Sequence, residues 1–290
     1  MIPSISPDLD IVDESLNENR AHTCALTIQI SAENLALAVL DSQESRYLAA
    51  RVYRYPYHFN PDDFRQWLED IVASGIASWH YQTVRIFLAN LDYTLIPGPL
   101  FNPSRKEDYL HFNLSDRQGD NVIFSDRLAG LDAFTVFAVP RWLKDKLDEV
   151  FTPVPIHHAV SSFIESILGH YKYLTRNHTL FINIQPGFFD MLILHEHDVI
   201  FCNSFHFVNP DDALYYVMFV LEQLKLTPDQ MELYVMGEMG KHAQVIERLA
   251  SYLPRLELVA RNESFRYSHT FEGIPGHYLY NLLSAAGCEL

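Results

Sequence analysis

The chain has 290 residues, 48% hydrophobic and 20% charged, which excludes a disordered chain and allows two domains of ordinary size. Its 37 acidic and 21 basic residues give a formal net charge of −16, a surface that repels phosphate backbones and anionic lipid, so no nucleic acid partner is expected. No stretch approaches the roughly 20 apolar residues of a membrane helix, and three scattered cysteines without CxxC spacing (Cys24, Cys202, Cys288) read as reduced thiols of a soluble, cytoplasmic protein.

Residues 1–22 carry Asp, Glu, Asn and Ser with no apolar h-region, so a flexible N-terminal arm is expected there rather than a secretory signal. Three short strands follow, Cys24–Ser31, Asn34–Ser42 and Arg46–Tyr55, joined by polar turns that favour an antiparallel meander. Asn60-Pro61-Asp62-Asp63 then starts a helix: Asn caps, Pro suits the first helical position, and the two carboxylates favour the positive helix end. Phe64, Trp67, Leu68, Ile71 and Val72 recur at helical spacing, Gly75 stops the run, and Thr83–Ala89 reads as a buried parallel strand. Further on come a short helix over 105–112, strands over 121–125 and 133–139, a helix opened by Pro140, and a second helix over 158–173 after Pro153-Val154-Pro155.

From His178 the series begins again. Thr179–Gln185, Phe188–Leu194 and Val199–Phe207 form another three-strand meander, and Asn209-Pro210-Asp211-Asp212 repeats the helix start 149 positions downstream. Leu214, Val217, Met218, Leu221 and Leu224 give the same apolar face, and Glu232–Met236 the next strand. A helix over 241–252, a strand over 256–260 and a terminal helix near 277–286 complete the chain. The order strand–strand–strand–helix–strand thus occurs twice with the same cap at the same joint, which reads as a duplication.

This duplicated pattern resembles the sugar kinase, Hsp70 and actin superfamily, and within it the pilus-assembly and secretion-platform branch. More specifically, the chain is similar to an uncharacterised bacterial family whose members end in a tail like Cys288-Glu289-Leu290. The resemblance implies an α/β fold of two actin-like (ribonuclease H-like) βββαβαβα domains with a cleft between them. The domains are expected over 23–176 and 177–290, the C-terminal helix packing back on the first. In active relatives the first phosphate turn is Asp-x-Gly-Ser/Thr. Here Ile28-Gln29-Ile30-Ser31-Ala32-Glu33 keeps only Ser31, without the Asp that orients metal-bound water or the Gly that lets amides approach phosphate. At the second turn Asn183 stands in the Asp position and Gln185 in that of the first Gly. Pro186 lacks an N–H donor, and Gly187 serves the hairpin. The adenosine-binding turn matches better, with Gly237 and Gly240 between a strand and a helix, although Glu238 and Met239 add bulk and charge.

Phosphoryl transfer needs metal-positioning carboxylates and donor-rich loops, and both loops lack the Asp. The expectation is a non-catalytic actin-like protein with no cofactor, acting through a protein partner or self-association. The alternative is a nucleotide-binding protein or slow ATPase that holds ATP and magnesium in the cleft through Gly237, Gly240, Asn183, Gln185, Gly187 and Ser31. His195-Glu196-His197-Asp198, with Cys202 and His206, invites a metal reading but falls on a turn where polar residues are expected anyway. His157-His158 stands before a helix and can cap it.

Overall fold

The computed structural model describes residues 5–56, 60–113, 119–151, 154–171, 173, 178–238 and 243–290. They divide into two compact units. The first comprises Met1–Ser161, Glu263–Gly273 and Glu289–Leu290, and the second Ser162–Asn262 and Ile274–Cys288. This differs from a cut between 176 and 177: the boundary falls within a helix, and residues 263–273 and 289–290 return to the first unit.

In the first unit, β1 (Leu9–Val12) and the short α1 (Glu18–Ala21) precede a meander of β2 (Cys24–Ile30), β3 (Asn34–Asp41) and β4 (Arg46–Arg54). Helix α2 (Pro61–Val72) leads to β5 (Thr83–Leu88) and β6 (Tyr93–Pro97). Next come α3 (Lys106–Asn113), β7 (Asn121–Leu128), β8 (Ala133–Pro140), α4 (Arg141–Val150) and β9 (Ile156–His158). The main sheet runs β1-β4-β3-β2-β5-β9, and every residue of β3 is buried, as expected of a strand covered on both faces. Phe64, Trp67, Leu68, Ile71 and Val72 of α2 are all buried, so the apolar stripe read at 3.6-residue spacing is the packed face. A smaller sheet, β6-β8-β7, packs Ile96, Val136 and Ala138 around Leu110 of α3.

Helix α5 (Ala159–Tyr171) crosses the boundary between units. The second unit then has β10 (His178–Gln185), β11 (Phe188–His195), β12 (Asp198–His206), α6 (Pro210–Gln223), β13 (Glu232–Gly237), α7 (Ala243–Ala250) and β14 (Leu256–Leu258). A two-residue strand, β15 (Arg266–Tyr267), belongs to the first unit, and α8 (Tyr280–Ser284) to the second. The second sheet runs β12-β11-β10-β13-β14. Leu180, Ile182 and Ile184 face Val217 and Leu221 of α6 and Val245 and Leu249 of α7 in one core. By strand alternation Phe181, Asn183 and Gln185 lie on the other face, where Phe181 stacks on Tyr234 at 5.4 Å and meets Tyr171 of α5 at 5.1 Å.

The duplication extends to register. In each sheet the first strand of the meander pairs antiparallel with the second and parallel with the strand after the helix. Even the irregularity repeats: Leu40 pairs with Tyr47 and Val39 with Ala49, skipping Leu48, while Leu194 pairs with Val199 and Ile193 with Phe201, skipping Ile200. Both helix starts are built alike. The Asn60 side chain accepts from the Asp62 N–H at 2.9 Å, and that of Asn209 from Asp211 and Asp212 at 3.0 and 3.1 Å. Asp212 answers by accepting from the N–H groups of Val208 and Asn209, which completes a capping box. Asn209→Ala is expected to lower stability by about 1 kcal/mol in chemical denaturation, the usual worth of such a cap.

The expected loose arm is otherwise: Leu9–Val12 is an edge strand paired antiparallel with Ala49–Val52. Its carboxylates find partners distant in sequence. Asp10 meets Arg51 at 2.6 Å, Asp13 meets Arg46 at 3.0 Å, and Asp8 accepts from the Arg54 N–H at 2.9 Å. Asp13 also accepts from Ser268, beside β15, which pairs with Arg46 and Tyr47. Burial alone would raise the Asp13 carboxyl; hydrogen bonds from Ser15, Ser268 and Arg46 instead hold it well below the ordinary carboxylate range.

Candidate functional site

The first hairpin turn, between β2 and β3, closes on itself. Ser31 donates its backbone N–H to Asn34 O at 2.9 Å and its hydroxyl to Asn34 Oδ1 at 2.8 Å. The same hydroxyl accepts from the N–H groups of Glu33 (3.2 Å) and Asn34 (2.9 Å). Ser31 is 4% exposed, so its polar atoms serve the turn.

The second hairpin turn is Gln185-Pro186-Gly187-Phe188. Gly187 has φ +75°, the left-handed value that the third position of a type II turn requires after proline. Asn183, 1% exposed, donates from Nδ2 to Asp190 Oδ2 at 2.9 Å across the hairpin, and Ser204 of β12 donates to Asp190 Oδ1 at 2.6 Å. Asn183, Asp190 and Ser204 are register neighbours, a polar row across three strands. Burial pushes the Asp190 carboxyl up to about 6, while the hydrogen bonds from Ser204 and Asn183 pull the other way. Gln185 is buried at the end of β10.

Gly237 ends β13 with φ +98°, opposite Ile184. A Cβ there would lie 2.1 Å from Ile184 O, 2.8 Å from Ile184 N and 2.9 Å from Asn183 Oδ1. Its N–H donates to His277 O at 3.0 Å, and the next, of Glu238, donates to Ile184 O at 2.9 Å. Glycine is needed here because backbone lies against backbone. The structure thus brings Asn183, Gln185, Gly187 and Gly237 to one end of the second sheet. Ser31 holds the corresponding turn of the first, and Gly240 lies outside the described residues.

Two polar centres escaped the sequence reading. Asp190 sits in Phe188–Leu194, a carboxylate in an apolar strand, and that mismatch was its local sign of a buried role; Asp126 falls just past the strand read over 121–125. Asp126, 4% exposed, accepts from the His158 N–H (2.8 Å) and the Ser161 hydroxyl (2.7 Å), and its other oxygen lies 2.8 Å from His157 Nδ1. Ser161 bonds to the carboxylate and not to imidazole, so these groups anchor the start of α5 and do not form a nucleophilic triad. His158 accepts the Val160 N–H on Nδ1 at 3.1 Å, as a cap does, which leaves Nε2–H to donate to Asn90 Oδ1 at 3.1 Å. Burial lowers the His158 imidazole to about 4, so it is neutral at pH 7.

The histidine-rich turn is dispersed. His195 ends β11 and stacks on His178 at 4.1 Å, whereas His206 pairs with Phe188 at the other end of that strand. Seven residues at about 3.4 Å each separate these positions by roughly 24 Å, too far for one ion. Among the described residues no group of three His, Cys, Asp or Glu side chains could hold a metal. In the open groove between α2 and α4 most of the basic groups already have acidic partners. Arg141 is held by Asp120 at 2.7 Å, Lys146 by Glu69 and Glu149, and Arg65 lies over the Trp142 ring at 5.8 Å.

A family profile described as a protein of unknown function, DUF3822, matches residues 13–256. The chain belongs to that family. No curated protein matches it. Among solved structures, this DUF3822 member is similar to a Bacteroides thetaiotaomicron protein with an actin-like ATPase fold and unknown function. The match has a TM-score of 0.75 at 15% identity over 84% of this chain and 93% of that one. It is also similar to a chain of the PilM–PilN type IV pilus biogenesis complex, with a TM-score of 0.59 at 14% identity over 90% and 97%. A third likeness is the ethanolamine utilization protein EutJ of Carboxydothermus hydrogenoformans, with a TM-score of 0.50 at 10% identity over 95% and 92%. The fold is therefore actin-like. No helix among the described residues is long and apolar enough to cross a membrane.

Proposed function

We propose that this protein is a degenerate actin-like protein that works by binding another protein and does not turn over nucleotide. The observation that carries this reading is that the described donors at the turns which would grip phosphate are bonded within the chain. Ser31 serves Asn34, Asn183 serves Asp190, Pro186 has no N–H, and the amides of Gly237 and Glu238 donate to His277 and Ile184. Asp190, the carboxylate beside the second turn, is 2% exposed with both oxygens engaged. These residues do not fit magnesium and a triphosphate, which need outward amides and a reachable carboxylate. The PilM–PilN complex supports the protein-binding side, since a chain of similar fold there assembles with another protein. A reducing, cytoplasmic setting suits the three free thiols.

Calorimetry and thermal melting with ATP and magnesium test the reading. A site with Kd of about 10 µM would stabilise the protein by about 2.7 kcal/mol at about 1 mM ligand. We expect no heat and an unmoved melting temperature; saturable binding would overturn the inert-site reading.

A further inference from the structure

The duplication shows what is missing from one of its halves. The register shared by the two meanders equates Arg46–Arg54 of β4 with Asp198–His206 of β12, bulge on bulge at Leu48 and Ile200. On β4 the outer edge is covered twice by this same chain, by β1 antiparallel along Ala49–Val52 and by β15 parallel along Arg46–Tyr47. On β12 the sheet ends: no strand among the described residues lies beyond it. Burial agrees. Six residues of β4 are buried and none of β12 is, with Ile200 39% exposed where its counterpart Leu48 is fully covered.

A long open edge invites strand addition, and proteins usually block it with lysine, proline or a bulge. The sequence of β12, DVIFCNSFH, has no lysine, arginine or proline. Its bulge is the one that β4 carries without being barred from pairing. Beside the edge lies an aromatic shelf. Phe205 stacks on Tyr216 at 4.8 Å, and Tyr215 and Phe219 of α6 continue it, 62% and 45% exposed and stacked at 6.1 Å. An edge of this kind takes an extended segment through main-chain pairing, while flanking side chains supply selectivity.

Charge says what kind of segment. The cover of β4 meets a basic edge with carboxylates: Asp10 and Asp13 pair with the Arg51 and Arg46 guanidinium groups, while Asp8 accepts the Arg54 backbone N–H. The equivalent positions on β12 are His206, Asn203 and Asp198. A second copy's N-terminal strand would bring three carboxylates to an edge without arginine, on a chain of net charge −16. We propose that β12 accepts an extended, apolar segment of a different protein, with a lysine or arginine set against Asp198. This deepens the protein-binding reading and rests on it.

The test places a photo-crosslinking amino acid at Ile200 of the full chain in its own cells, and at exposed Phe112 of α3 as a comparison site, with the crosslinked peptides sequenced by mass spectrometry. The expected result is a crosslink from position 200 to an apolar segment of another protein with Lys or Arg within a few residues. Its yield should fall about fivefold or more in Asp198→Lys, as cross-strand attraction becomes repulsion, with the melting temperature unchanged. Crosslinks to a second copy, crosslinks insensitive to Asp198→Lys, or none at position 200 would overturn the proposal. A protein captured only at Phe112 would remove the β12 surface and leave the protein-binding reading standing, whereas ATP binding in the titration above would refute the inert site without touching β12.

Discussion

Gly237→Ala is expected to destabilise the second unit by about 3 kcal/mol or more, lowering its melting temperature by roughly 12 °C. Two costs add. At φ +98° an alanine is strained by itself, and its methyl would sit 2.1 Å from Ile184 O. That atom is backbone near the end of a strand paired on both sides, so relief means separating β13 from β10 where Asn183 and Ile184 pair with Met236 and Gly237. Gly169 of α5 is the internal control. Nothing lies within 4 Å of a Cβ there, and alanine inside a helix is worth about 0.5–1 kcal/mol over glycine, so Gly169→Ala should be neutral or stabilising. Urea denaturation of the two variants checks the contrast. Equal, small effects would show that β13 and β10 are not held this closely.

The two units are expected to respond to pH in opposite directions between about pH 4 and 6.5. Asp190 binds its proton more tightly when folded, at about 6 against an ordinary 3.8. Its contribution is therefore fully present below about pH 4 and is lost as pH rises through 6, about 3 kcal/mol in all at 1.36 kcal/mol per pH unit. His158 binds its proton less tightly when folded, at about 4 against 6.5. Its contribution is present above pH 6.5 and is lost as pH falls through 4, again about 3 kcal/mol. All three tryptophans, Trp67, Trp79 and Trp142, belong to the first unit, so their fluorescence follows His158. Hydrogen exchange of β10 and β11 amides follows Asp190. Asp190→Asn should abolish the loss of β10 protection as pH rises from about 4 to 6, and His158→Gln the acid loss of the fluorescence-detected transition. A slope that survives its own substitution would assign the titration elsewhere.

Much of the architecture was legible because it is written in local periodicity. The three-strand meanders, the amphipathic faces of α2 and α6, and the two Asn-Pro-Asp-Asp starts each depend on residues within one or two turns of each other. The candidate site was legible only as a set of departures: Ser31 without a glycine, Asn183 in place of a carboxylate, Pro186 without a donor. Where those side chains point was not legible. Asn183 meets Asp190 seven residues away and Ser204 joins them from the next strand; β-pairing decides both. The Asp126 anchor joins residues 31 to 35 positions apart, so His157 and His158 had no visible partner in the linear chain.

The amino-acid order by itself determined the repeated unit, its helix caps and the departure of its hairpin turns from a phosphate-binding pattern, because turn chemistry and side-chain periodicity act over a few residues. Only the tertiary structure decided that Leu9–Val12 is a strand, that Asp190 and Asp126 are buried, and that one sheet edge is covered while, among the described residues, its duplicate is not. Those outcomes depend on partners far apart in the chain, such as Asp13 and Ser268. Whether a carboxylate finds an arginine, a serine or water is settled by what the fold brings beside it.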